Sequence, residues 1–201
     1  RDGADVKRLQ RTKSRAAMRD MLAESGFSQS QLIQPLFAVE DEAEARPLEA
    51  LPGNATLSLA QLGAQVESDL EAGVRHFLLF PVPGHKAARN FDPSFAASAI
   101  AEIRRRAGRD VVIWVDTCLC SHTHTGHCAL FDANARQDLP ATLAELNRLA
   151  LAYAQAGADG ISPSDMNDGR VASLRAQLDA AGFDLTPIMS YSSKFASNFY
   201  G

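Results

Sequence analysis

The sequence predicts an α/β fold, a (β/α) TIM-type barrel preceded by an N-terminal arm. Three observations carry that reading. Short apolar runs rich in β-formers alternate with longer stretches whose apolar residues keep a helical spacing, which implies parallel βαβ units. The helical stretches are closed by Gly73, Gly108, Gly157 and Gly182, where a helix needs a residue free to turn. The polar, chemically varied residues follow strand ends rather than helix ends. That placement fits the C-terminal face of a barrel. It also fits the crevice of an open α/β sheet.

Residues 1–25 are basic and lack a strand pattern, and read as an N-terminal arm. Ser14 to Leu22 can form a helix with Ala17, Met21 and Leu22 on one side. The arm is either a solvated terminus or a segment that docks on a neighbouring subunit. Residues 26–201 form the barrel domain. Leu32 to Val39 is a strand in which Pro35 argues against a regular ladder along the full length. Glu40 to Glu49 is an acidic loop, and Leu51-Pro52-Gly53-Asn54 a turn. Ser58 caps a helix over Leu59 to Ala72. His76 to Val82 is the next strand, followed by the polar loop Pro83-Gly84-His85-Lys86 and a helix over Phe95 to Ala107. Val111 to Val115 is an apolar strand. A helix over Leu143 to Ala156, a short strand at Asp159 to Ser162, a helix within Asp168 to Ala181, and a last strand at Thr186 to Ser190 complete the pattern. The count is about five strands and four intervening helices, some five of the eight units of a barrel.

The chain turns on Asp116 to Cys128, which holds all three cysteines and three of the five histidines. Side chains at alternate positions of a strand share a face, so continued extension would line up Asp116, Cys118 and Cys120. Gly126 then lets the backbone turn and return Cys128 toward them. Cys-x-Cys-x7-Cys at a strand end suits zinc. Thiolates are soft ligands, and three protein ligands leave a fourth position for water or substrate. A fourth ligand from His122, His124 or His127 would close the site instead. The bland alternative is three small thiols without a metal. A disulfide is weaker, because nothing else points to secretion.

The composition is that of an ordinary globular chain: 201 residues, 46% hydrophobic, 22% charged, net charge −4. The mild acidity gives no sign of nucleic-acid binding. No apolar run approaches the roughly 18 residues of a membrane span, and the N-terminus lacks a signal-peptide pattern. These features predict a cytoplasmic protein without a membrane partner. Neither Gly-x-Gly-x-x-Gly nor Gly-x-x-x-x-Gly-Lys occurs after a strand, so nucleotide binding has no support.

Two further stretches carry chemistry. In Ser162 to Arg170, Ser164 and Asp165 could merely cap the next helix, or stand at the barrel mouth as hydrogen-bonding or acid/base groups. In Ser190 to Gly201, one lysine, Lys194, lies among aromatic and small residues. Burial there would favour the neutral amine, which can form a Schiff base with a ketone. A surface lysine covering apolar neighbours with its stem is the plain alternative.

Taken together, these stretches resemble the porphobilinogen synthase (5-aminolevulinate dehydratase) family, zinc-dependent type. The resemblance rests on the arm at Arg8 to Thr12, on Gln34-Pro35-Leu36-Phe37, Leu51-Pro52-Gly53 and Leu79-Phe80-Pro81-Val82-Pro83. It continues through Asp116-Thr117-Cys118-Leu119-Cys120, Gly126-His127-Cys128, Gly157-Ala158-Asp159, Pro163 to Arg170 and Met189 to Gly201. It implies condensation of two 5-aminolevulinate molecules to porphobilinogen in tetrapyrrole (haem) biosynthesis. It implies a catalytic zinc on Cys118, Cys120 and Cys128, and a Schiff base on Lys194. It places Asp116, Ser164, Asp165, Tyr191 and Tyr200 at the substrate pocket, and matches His127 to an accessory metal site of some members. It also implies a homo-oligomer held through the arm. Thr117 and Ser121 to His124 depart from the usual pattern. The resemblance further implies a lid and a second Schiff-base lysine beyond Gly201, so the 201 residues are expected to be the N-terminal two-thirds of a longer chain. The rival expectations are a short non-catalytic zinc-binding homologue, and a Schiff-base enzyme of the same scaffold acting on another amino-ketone.

Overall fold

The structure is a computed structural model, and it describes residues 10–195 and 198. Contacts divide the chain into Arg1–Gln31 and Leu32–Gly201. Within the first unit, a 3-10 turn at Arg11–Lys13 precedes a short helix α1 (Ala16–Met21), and a second turn follows at Gln29–Gln31. None of these elements contains a buried residue. Met21 is 70% exposed, so the apolar side expected of this segment forms but covers nothing within its own unit.

The second unit is α/β, as its alternating pattern requires. Five strands, β1 (Gln34–Val39), β2 (Thr56–Leu57), β3 (His76–Val82), β4 (Val112–Thr117) and β5 (Gly160–Pro163), form one parallel sheet. Its order is β2-β1-β3-β4-β5. From β1 through β3, β4 and β5, successive strands are neighbours without a reversal. That is the winding of a barrel rather than of a doubly wound sheet, whose order reverses at a switch point. The connecting helices are α2 (Leu59–Glu71), α3 (Ser94–Ala107), α4 (Leu139–Gln155) and α5 (Arg170–Ala180).

Local chemistry sets the helix starts. Ser58 Oγ accepts from the Gln61 N–H, and the Gln61 side chain accepts from the Ser58 N–H, a reciprocal cap on α2. The start of α4 lies at Leu139, four residues earlier than its apolar spacing suggests. Asp138 caps it by accepting from the Ala141 N–H, and Pro140 sits in the first turn, where its missing N–H costs nothing.

Strand alternation sorts the sheet. Leu36, Ala38, Phe77, Leu79, Ile113, Val115 and Ile161 pack with Leu62, Val66, Ile100, Ile103, Leu146, Leu149 and Leu174 in one continuous core. Phe37, Phe80, Trp114 and Asp116 are half-buried on the other face. Phe37 pairs with Phe80 in register, and their rings stack at 4.9 Å. Pro35 is accommodated because β2 pairs with β1 at Phe37 and Ala38 alone.

The register also places Trp114 beside Gly160. A Cβ at position 160 would overlap the Trp114 ring. Gly160→Ala is therefore expected to destabilise the fold by about 1–3 kcal/mol, the cost of overpacking a filled site. Urea unfolding measures it, and Trp114→Leu in the same chain should recover part of the loss.

The expected strand at Thr186 to Ser190 reduces to a single bridge between Ile161 and Ile188. Two prolines explain the reduction. The Ile161 N–H donates to Pro187 O and the Met189 N–H to Ile161 O. A longer parallel ladder would need N–H groups from Pro163 and Pro187, which have none. Ser162 Oγ donates to Met189 O in place of Pro163. The chain stays aligned, and the Tyr191 N–H reaches Pro163 O.

Candidate functional site

The site is built where β4, β5 and the segment after Ile188 end. β4 stops at Thr117, one residue before the first cysteine. Extension does not run on to Cys120 as expected. The N–H groups of His122 and Thr123 both return to Leu119 O, closing a turn around Cys120. Gly126 has φ of 71°, a conformation that suits glycine, and it sends the chain back to Cys128. Lys86 braces the loop from outside, donating to Pro83 O at 2.9 Å and Ser121 O at 2.5 Å.

The outcome is the cluster that the spacing foreshadows, reached by a turn instead of a strand face. The ligand atoms of Cys118, Cys120 and Cys128 lie within 4.8 Å of one another. Tetrahedral zinc at about 2.3 Å from each sulfur would hold them about 3.8 Å apart, a separation in keeping with this clustering. Thiol hydrogen bonds from Cys118 and Cys120 lower the Cys128 thiol to about 3. Hydrogen bonding with Cys120 and Cys128, together with burial, raises Cys118. The donor set fits a soft metal ion.

No histidine joins this cluster among the described residues. His122 is 2% exposed and lies 3.4 Å from the Tyr153 hydroxyl, with its ring tilted against Phe91. Burial, then the Lys86 charge, push it down to about 4, so it is a neutral packing residue. His124 and His127 are exposed, and the His127 ring meets the edge of Phe131 at 5.4 Å.

Within electrostatic reach of the sulfurs are two carboxylates, half-buried Asp116 and buried Asp165. Asp116 ends the half-buried face of β4. Burial raises it to about 7, against a hydrogen bond from Ser164 and the charge of Lys194, which lower it. Its Oδ1 is buried without a partner among the described residues. Asp165, 1% exposed, is also raised, by burial first. Its Oδ1 accepts from the Asn167 N–H at 2.8 Å and from Asn167 Nδ2 at 2.6 Å, and Arg170 Nε lies 3.7 Å away. Its Oδ2 lacks a partner in the same way. Ser164 and Asp165 do not cap α5, which starts from Gly169 without a side-chain cap. Buried acceptors left open are costly unless a ligand meets them.

Tyr191 is half-buried, and burial pushes its hydroxyl up to about 12. Lys194 Nζ stands 5.1 Å from the centre of the Tyr191 ring. Its charge is felt at both Asp116 and Cys128. The aromatic enclosure expected around Lys194 is only partly present, since Phe195 is 82% exposed. Tyr200 lies outside the described residues.

Sequence reasoning missed Asn167 and Arg170 as parts of the site. Arg170 donates to Asn167 O, Ser190 Oγ and Ser192 Oγ, and so ties the β5 loop to the segment bearing Lys194. A polar residue buried between exposed Met166 and Asp168 is visible only once the loop is folded. A cavity of about 670 Å³ lies at the opposite end of the strands, among Arg104, Arg109, Asp159 and Phe183. There the Arg104 guanidinium is already taken by Gly108 O, Gly157 O and Asp159, which makes this end a structural brace.

Comparison with known proteins agrees on one family. The sequence model described as Delta-aminolevulinic acid dehydratase matches residues 6–201. The Delta-aminolevulinic acid dehydratase of Ruminiclostridium josui is 38% identical over 98% of this chain and 97% of that protein. Those of Archaeoglobus fulgidus and Helicobacter pylori are 39% and 38% identical over 92% and 97% of this chain. The chain spans 58% and 61% of the length of these two relatives. In structure, the chain is similar to the enzyme from Toxoplasma gondii in complex with its reaction product porphobilinogen. The TM-score is 0.88 and the identity 33%, covering 96% of this chain and 56% of that one. No helix among the described residues is long and apolar enough to cross a membrane.

Proposed function

The chain belongs to the delta-aminolevulinic acid dehydratase family, and from that membership we propose that it serves the family reaction, the condensation of two 5-aminolevulinate molecules to porphobilinogen with loss of water. The observation that carries the reading is the meeting of two chemistries in one place. Three sulfurs within 4.8 Å of one another lie within electrostatic reach of Asp116 and Asp165, each with one buried open oxygen, and the charge of Lys194 is felt at Asp116 and Cys128.

In this reading Lys194 is the covalent residue. Its amine adds to the ketone carbon of one substrate, a C–N bond forms, and the ketone oxygen leaves as water. Asp116 Oδ1 and Asp165 Oδ2 accept hydrogen bonds from a substrate amino group, which meets the two acceptors that burial leaves open. Ser164 and Tyr191 supply hydroxyls at the same mouth, and Tyr200 joins them by the family resemblance. Cys118, Cys120 and Cys128 hold zinc, which when bound supplies a Lewis acid for the second substrate. The donor set supports a soft ion, and zinc is the divalent metal that three thiolates with an open fourth position suit best. We place the protein in the cytoplasm.

The direct test is incubation of the metal-loaded protein with 5-aminolevulinate. Porphobilinogen should accumulate with the full natural chain, and its absence from a folded, metal-loaded sample of that chain would overturn the assignment, whereas the 201 residues by themselves should form little or none. The arm adds a second proposal, a homo-oligomer held through the N-terminal segment. It draws support from the expected apolar side of this segment, Ala17, Met21 and Leu22, which is exposed. Deleting residues 1–20 should shift sedimentation to smaller species. An unchanged profile would remove the arm from assembly.

A further inference from the structure

We infer that Asn167 is a positioning residue for the metal ligand Cys128, and that it divides the Asp165 carboxylate between scaffold and ligand. The inference rests on the reading of the three cysteines as a metal site.

Asn167 is 6% exposed, and its side-chain amide touches three segments. Nδ2 donates to the main-chain oxygen of Cys128 at 3.0 Å. Nδ2 also donates to Asp165 Oδ1 at 2.6 Å. Oδ1 accepts from Gln137 Nε2, on the loop before α4, at 2.5 Å. The orientation of the amide follows from its partners. A main-chain carbonyl and a carboxylate only accept, so the NH₂ must face them and the oxygen must face Gln137.

Two consequences follow. Gly126 turns the cysteine loop back, and Asn167 then holds the returning limb at the residue that carries the third sulfur. The Cys128 sulfur is thereby set against Cys118 and Cys120 by a hydrogen bond from another loop. At the same time, Asn167 occupies Asp165 Oδ1 twice, through its N–H and its Nδ2. The second oxygen, Oδ2, is the one left open. One amide thus couples the metal end of the site to its carboxylate end. Outer hydrogen bonds of this kind orient metal ligands, and losing one typically costs about 10- to 100-fold in metal affinity.

The test uses cobalt(II) as the probe, because thiolate-to-cobalt charge transfer reports how many sulfurs are bound. Asn167→Asp keeps the shape but turns the donor into a carboxylate facing two acceptors. It should bind cobalt about 10- to 100-fold more weakly. Its charge-transfer intensity per bound cobalt should fall by about one third, as one of three thiolates drops out, with far-ultraviolet circular dichroism unchanged. Gln137→Ala, at an exposed residue, should weaken cobalt several-fold in the same direction, and it decides the matter if Asn167→Asp does not fold. Cobalt affinity within twofold of the parent, with full charge-transfer intensity in the folded variant, would overturn the role of Asn167. Failure of the parent protein itself to bind cobalt would instead overturn the metal reading.

Discussion

Replacing Cys120 by Ala is expected to abolish metal binding at the cysteine cluster. The three sulfurs are within 4.8 Å of one another, and among the described residues no histidine or carboxylate stands with them as a substitute ligand. Losing one of three ligands should cost more than the roughly 10- to 100-fold in affinity that an outer hydrogen bond carries. We therefore expect a loss beyond about 100-fold, with the fold retained. Retention of the fold follows from position: Cys120 lies in a turn and is half-buried, outside the continuous core. Elemental analysis after dialysis against a weak chelator is the measurement. Equal metal in the parent and in a protein with all three cysteines replaced would refute the site. Normal metal in Cys120→Ala alone would mean that Cys118 and Cys128 recruit another ligand.

The fold was legible because its signals are local and repeated. Ser58 before a helical spacing, Gly108 after an apolar helix, and the Val111 to Val115 run each announce one element without help from the rest of the chain. The cysteine cluster was legible because three cysteines fall within eleven residues. What the sequence hid depends on partners far along the chain. The Thr186 to Ser190 strand reads well by composition, yet Pro163, on another strand, lacks the N–H that its ladder needs. β2 is two residues long and has no periodicity to detect. Asn167 looks like a turn residue until folding brings Cys128 O and Gln137 to its amide. The environment of Lys194 was read from its neighbours in sequence, whereas Phe195 points to solvent and Tyr191 alone among the described aromatics meets the amine.

Borohydride added in the presence of 5-aminolevulinate is expected to attach the substrate permanently to Lys194. The chain has four lysines, so the assignment can be argued by elimination as well as by place. Lys13 belongs to the N-terminal unit and is exposed. Lys86 spends its ammonium on two main-chain carbonyls, and an ammonium so bound is a poor nucleophile. Lys7 lies outside the described residues, in the basic arm. Lys194 stands over Tyr191 and within the electrostatic reach of Asp116 and Cys128. A carboxylate nearby can take up the proton that the amine must lose before it adds to a ketone. Addition and loss of water give the imine, and hydride from borohydride then reaches the imine carbon to leave a stable secondary amine. Peptide mass analysis should find that adduct on the peptide carrying Lys194, with little on Lys86. In Lys194→Arg the charge stays but attack does not, so trapping at this position should vanish and porphobilinogen formation should fall by at least about 100-fold, the lower range for loss of a covalent or acid–base group. No adduct at Lys194 in a folded, metal-loaded protein exposed to substrate would remove its covalent role. An adduct at Lys194 together with undiminished turnover by Lys194→Arg would show that the imine forms but lies off the path to product.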